Sequence, residues 1–131
     1  MAMRIHHLAI WTHDLERLKD FYQTFFAVRV GPPYHNSTKG FRSYFIDFGE
    51  GAKIELMQMP GIPATKDDPL AQATGLTHIA ISVGSEAEVD RMTTQLEEAG
   101  YTVAGRPRWT GDGYYESVVL DPDGNRLEIT I

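Results

Sequence analysis

At 131 residues the chain is long enough to bury one real interior or to build two small modules around a shared one, and its 23% charged and 42% hydrophobic residues are ordinary for a water-soluble domain. A formal net charge of −6 excludes a general nucleic-acid binder, whose footprint is a basic patch. The absence of cysteine excludes disulfides and thiolate chemistry and leaves any metal with nitrogen and oxygen ligands.

The first element expected is a strand over Ile5 to Trp11. Asp14 is placed to cap a helix whose apolar residues Leu15, Leu18, Tyr22 and Phe25 recur at helical spacing, with Phe21 and Phe26 widening the stripe. Three strands are expected next, over Val28 to Tyr34, Phe41 to Phe48 and Ala52 to Met59. Gly31-Pro32-Pro33 and Gly49-Glu50-Gly51 supply the breaks, the former falling within or after its strand. Residues 60–75, with Pro60, Gly61, Pro63 and Pro69, show no periodicity and read as a linker.

The order then repeats. Thr77 to Val83 reads as a strand, and Ser85 with Glu88 three residues later forms a capping box for a helix through Val89, Met92, Leu96 and Ala99, stopped by Gly100. Tyr101 to Arg106, Tyr114 to Leu120 and Arg126 to Ile131 are the closing strands, with Asp121-Pro122-Asp123-Gly124 as a turn. No apolar run approaches a membrane span and the N-terminus lacks the apolar segment of a signal peptide, so a cytoplasmic protein without a membrane partner is expected.

Short motifs mark the repetition. Gly51-Ala52-Lys53-Ile54-Glu55-Leu56 recurs as Gly124-Asn125-Arg126-Leu127-Glu128-Ile129, an offset of 73 residues (128 minus 55). His7-Leu8-Ala9-Ile10 recurs as His78-Ile79-Ala80-Ile81, an offset of 71 (78 minus 7). Two motifs at nearly one spacing indicate an internal duplication. The repeats span about residues 4–59 and 76–131 of a single domain, 1–131. Each is strand, helix, three strands, and a four-stranded sheet with one helix covers only one of its faces. The expected fold class is therefore α+β, two modules forming a curved, incomplete mixed β-barrel with the helices outside.

Alternation along a strand puts Leu8 and Ile10 opposite His7, Ile54 and Leu56 opposite Glu55, Ile79 and Ile81 opposite His78, and Leu127 and Ile129 opposite Glu128. Each of the four taken alone reads as a solvated glutamate or a hydrogen-bonded histidine. Their recurrence as His plus Glu at equivalent positions favours a mononuclear site, because carboxylates facing an interior need a compensating cation. The metal ligands expected are His7, Glu55, His78 and Glu128. A register slip of one residue would exchange His6 for His7, whereas His13 and His35 lie in turn-like surroundings. Candidate substrate contacts are Trp11, which shares the face of His7, and Arg42, Met57, Trp109 and Tyr115. Arg106 and Arg108 are further cations that could meet an anionic substrate, although a solvated surface role is the default.

Taken together, His7-Leu8-Ala9-Ile10 with Asp14-Leu15 and Phe21-Tyr22, Lys53-Ile54-Glu55-Leu56, Thr77-His78-Ile79-Ala80-Ile81 and the run Asp121 to Glu128 resemble the vicinal oxygen chelate superfamily, the glyoxalase, bleomycin resistance and extradiol dioxygenase group. The resemblance covers essentially the whole chain. It implies two βαβββ modules around one divalent ion, commonly in a homodimer. A complete His, Glu, His, Glu set is similar to glyoxalase I, the lactoylglutathione lyase, and implies nickel, cobalt or zinc ahead of iron or manganese. It further implies a lyase or isomerase acting on a small carbonyl compound or its thiol adduct through a metal-stabilised enediolate. Glu128 would be the catalytic base and Glu55 its counterpart. Where bacterial relatives carry an arginine that helps hold glutathione, four residues beyond the first ligand, this chain has Trp11. Two other readings stand beside this one: an extradiol-type ring-cleaving dioxygenase with iron on His7, His78 and Glu128, and a non-enzymatic protein that binds a drug or metabolite in the same cup.

Overall fold

Asp14 and Ser85 start the two helices by the same device. The Asp14 side chain accepts from the Arg17 amide at 3.1 Å and the Ser85 hydroxyl from the Glu88 amide at 3.2 Å, each satisfying a donor that the first helical turn leaves unpaired. A computed structural model describes residues 1–131, which divide into two units, Met1–Thr65 and Lys66–Ile131.

The first unit contains β1 (His7–Trp11), α1 (Leu15–Phe25), β2 (Arg29–Val30), β3 (Tyr34–Asn36), β4 (Phe41–Asp47) and β5 (Lys53–Gln58). The second contains β6 (Ile79–Ser82), α2 (Glu86–Glu98), β7 (Val103–Trp109), β8 (Tyr115–Leu120) and β9 (Arg126–Thr130). The sheet orders are β1-β5-β4-β2, with β3 also paired to β4, and β6-β9-β8-β7. In both, the first and last strands of the unit run parallel side by side and the remaining pairs are antiparallel. The architecture is α+β, two open mixed sheets with one helix each and no closed barrel. No helix is long and apolar enough to cross a membrane.

One face of each sheet is covered by its helix. In the first unit Leu15, Leu18 and Tyr22 of α1 are buried with Ile46, Ile54 and Leu56, and in the second Val89 and Leu96 of α2 with Val119, Leu127 and Ile129. Fully burying one such aliphatic side chain contributes about 1.5–3 kcal/mol, so these faces hold each sheet against its helix. Thr93 of α2 donates to the Val89 carbonyl at 2.6 Å and accepts from the Ser117 hydroxyl of β8 at 2.6 Å, which satisfies a buried polar pair in the same layer.

The strand expected over Val28 to Tyr34 is two short strands. Pro32 and Pro33 have no N–H to give to a ladder, so β2 stops at Val30 and β3 begins at Tyr34, both on β4. The first sheet therefore has five strands where four were expected. The strand expected over Tyr101 to Arg106 lies at Val103–Trp109, its register shifting on either side of Gly105. The turn before β9 is fastened by Asp121, whose carboxylate accepts from the Asp123 and Asn125 amides at 2.9 Å and from the Asn125 side chain at 2.8 Å. Gly124 adopts φ +86°, a left-handed conformation that a side chain would resist.

Candidate functional site

Register decides what the faces left open by the helices carry. Ala9 of β1 lies beside Glu55 of β5, and Ala80 of β6 beside Glu128 of β9. Two residues before each alanine is a histidine on the same face, and side chains two apart along a strand stand about 7 Å from one another, within reach of a glutamate on the neighbouring strand. His7 Nε2 is 3.6 Å from Glu55 Oε1 and His78 Nε2 is 3.3 Å from Glu128 Oε2. The side-chain exposures match as well, 38% and 17% for the first pair, 39% and 17% for the second. His7 is further oriented by a 2.8 Å contact between its Nδ1 and that of His6, and by the ring of Phe45 at 5.3 Å. His6 is thus a neighbour that supports His7.

No group of three or more His, Asp or Glu side chains close enough to hold a metal ion occurs in the chain, and the four expected ligands come together only as two pairs, His7 with Glu55 and His78 with Glu128.

The second unit has a member that the sequence reading did not single out. Glu116 of β8 lies opposite Thr130 and Val118 lies opposite Glu128, so Glu116 and Glu128 are diagonal neighbours on one face. Glu116 is 8% exposed. Its carboxyl is pushed up to about 7, first by a hydrogen bond with Glu128, then by burial and the Glu128 charge, against a downward pull from Arg108. Arg108 Nη2 is 3.9 Å from the Glu116 carboxylate and its Nη1 donates to the Glu116 carbonyl at 3.1 Å. The signal for Glu116 was faint, since Ser117, Val118, Val119 and Leu120 are all buried and alternation alone does not say which face Glu116 takes.

Of the candidate substrate contacts, Trp11 and Met57 are register partners on the face of His7 and Glu55. Arg42 is not on that face. It pairs with Gln58 and donates to the Gln58 side-chain oxygen at 3.1 Å, an oxygen that also accepts from Leu15 at the start of α1. With Gln58, His13 and Ile62 it lines a cavity of about 330 Å³. Trp109 and Tyr115 pair with each other at 5.3 Å, and the Tyr115 hydroxyl donates to Asp90 of α2 at 2.6 Å, so both lie on the helix side of their sheet, away from Glu128. Arg106 is engaged by Glu97 of α2 through both terminal nitrogens. His13 contacts the Ile62 carbonyl, and His35 lies on β3 opposite Arg42.

The family model of the Glyoxalase/Bleomycin resistance protein/Dioxygenase superfamily matches residues 4–129. The chain is 31% identical over 127 residues to the protein YwkD of Bacillus subtilis (strain 168), covering 95% of this chain and 94% of that one. It is 27% identical over 116 residues to the mitochondrial methylmalonyl-CoA epimerase of Bos taurus, covering 79% of this chain and 63% of the epimerase. Among solved structures, the glyoxalase family protein from Enterococcus faecalis superposes with a TM-score of 0.76 at 27% identity, covering 98% of this chain and 97% of that one.

Proposed function

The chain belongs to the Glyoxalase/Bleomycin resistance protein/Dioxygenase superfamily, and from that premise we propose that it is a metal-dependent lyase or isomerase of the glyoxalase type that moves a proton next to the carbonyl of a small substrate. The observation that carries this reading is the doubled His–Glu pair: each glutamate lies on the last strand of its unit and each histidine two residues before the alanine beside that glutamate, His7 opening β1 and His78 just preceding β6, with side-chain exposures of 38% and 39% for the histidines and 17% for both glutamates.

The residues fit a divalent ion by the chemistry of the donor set. Imidazole nitrogen and carboxylate oxygen suit nickel, cobalt, zinc, iron or manganese. His7, Glu55, His78 and Glu128 would hold the ion. With Nε2 of His7 committed to it, Nδ1–H is free to donate to His6, the outer contact that fixes a ligand imidazole's tautomer. When bound, the ion supplies Lewis-acid polarisation of the substrate oxygens.

The chain's own part is proton movement. Glu128, 17% exposed and within reach of His78, is the base that takes the proton from the carbon beside the carbonyl, and Glu55 is its counterpart. Epimerisation of a carbon next to a carbonyl needs the same removal and return of a proton, so the likeness to methylmalonyl-CoA epimerase supports this class of step. The reading includes a homodimer, since edge strands such as β7 leave backbone groups that a second copy can cover.

The test is solvent-deuterium exchange at the carbon beside the carbonyl of methylglyoxal hemithioacetal and of hydroxyacetone, followed by NMR, with metal content measured per chain. One metal per chain and exchange that falls by a factor of about 10²–10⁴ in Glu128→Gln are expected. Exchange that persists unchanged in the variant refutes the base assignment, and two metals per chain refute a shared site.

A further inference from the structure

Beyond Glu55 the open face of the first unit turns aromatic. Along β5 the residue after Glu55 on this face is Met57, which has Trp11 on one side in β1 and Ser43 on the other in β4. Tyr34 of β3 lies opposite Ser43 and Phe41 follows on the same face. The rings interlock, Trp11 with Phe41 edge to face at 6.0 Å and Tyr34 with Phe41 tilted at 5.9 Å. The row therefore begins two residues, about 7 Å, from Glu55. Trp11 nevertheless remains 41% exposed and Tyr34 55% exposed. Large rings left open beside a polar pair are the composition of a small-molecule site, in which apolar walls supply contact area and a few polar groups set orientation.

Charge narrows the occupant. The strand cations of this face, Arg29 and Lys53, lie on the other side of Glu55 from the rings, where Lys53 is the register partner of His7 and both are held by Asp47, Arg29 in register and Lys53 Nζ at 4.0 Å. Arg42 lies on the other face. Among the strand residues at the aromatic end no basic side chain stands ready for the carboxylates or phosphates of a thiol cofactor, whereas a neutral planar group finds Trp11, Tyr34 and Met57.

We propose that the first unit selects a substrate with a neutral planar or aromatic group, which stacks on Trp11 and Tyr34 while its carbonyl end reaches Glu55 and His7. The inference rests on the proton-transfer reading of those residues and adds the substrate class. It is tested by fluorescence titration of metal-loaded Trp109→Phe protein, in which Trp11 is the sole remaining indole of the chain's two. The probes are 2-hydroxyacetophenone and its methyl counterpart, hydroxyacetone. Saturable quenching with a Kd about ten-fold or more lower for the aromatic ketone is expected, and Tyr34→Ala should weaken that ketone alone by about three- to ten-fold. Equal Kd values, or an unchanged Kd in Tyr34→Ala, overturn the proposal. So does a Tyr34→Ala protein that changes oligomeric state in sedimentation with both Kd values unmoved, since the row is then covered by a second copy. Deuterium exchange in the same samples separates the two ideas. Aromatic binding without exchange upholds the substrate class and refutes the proton chemistry, while exchange without aromatic preference does the reverse.

Discussion

In the first unit the His7–Glu55 pair is bordered by rings, Phe45 beside His7 and Trp11, Tyr34 and Phe41 beyond Glu55. In the second, His78–Glu128 is bordered by charge, with Glu116 diagonal to Glu128 and Arg108 behind it. The pairs themselves are nearly superimposable in spacing and exposure. The repeated module thus carries the same His–Glu pair in two different surroundings. On the proposed function, the pair is what the copies share, and the neighbours would suit the first copy to holding a substrate and the second to handling a proton.

The sharpest way to break this division is to neutralise each carboxylate in turn. Glu128→Gln should lower proton exchange by a factor of about 10²–10⁴, the range for loss of a general base, whereas Glu55→Gln should act mainly through weaker metal retention, read by elemental analysis. Equal loss from both with metal retained in each would erase the distinction between the copies.

The next effect is smaller and lies in stability. Folding raises the Glu116 carboxyl from its ordinary range to about 7. A group whose folded value is raised stabilises the fold while protonated, and that contribution disappears as pH rises from about 4.5 to about 7. Glu116→Gln imitates the protonated form, so chelator-treated variant should be more stable than the parent at pH 8 and should show a flatter urea-unfolding profile between pH 4.5 and 7. In the first unit the corresponding strand has Ser43, already buried and neutral, and Ser43→Ala should leave the pH profile unchanged.

The smallest effects come from the helix ends. After α2, Gly100 adopts φ +97° while its amide bonds to the Glu97 carbonyl and the Tyr101 amide to the Leu96 carbonyl, a Schellman cap. At the matching place after α1, 73 residues earlier (100 minus 27), Ala27 takes φ +47°. A side chain in that region costs about 1 kcal/mol. Ala27→Gly should therefore raise stability by about 0.5–1 kcal/mol and Gly100→Ala lower it by about 1 kcal/mol, both read from thermal or denaturant unfolding. Same-sign shifts would mean that the two ends are not built alike.

Much of this was legible from residue order. The 71- and 73-residue offsets announce the duplication, the caps at Asp14 and Ser85 announce the helices, and alternation around Glu55 and Glu128 separates the apolar face from the donor face, because a strand's period of two is a local property. Local rules end where a strand is apolar or mixed on both faces. Phe41 to Asp47 puts aromatic and polar residues on both of its faces and so fits either orientation, and only the pairing of Ser43 with Met57 sends Arg42 toward α1 and Phe41 toward Trp11. Tyr115 to Leu120 is equally mute, and only its register with β9 sets Glu116 beside Glu128 and turns Tyr115 and Trp109 to the helix side. The sequence by itself determined which side chains lie opposite each strand's apolar face. Tertiary structure decided what surrounds them, because cross-strand neighbours come from long-range pairing that no short stretch of the chain encodes alone.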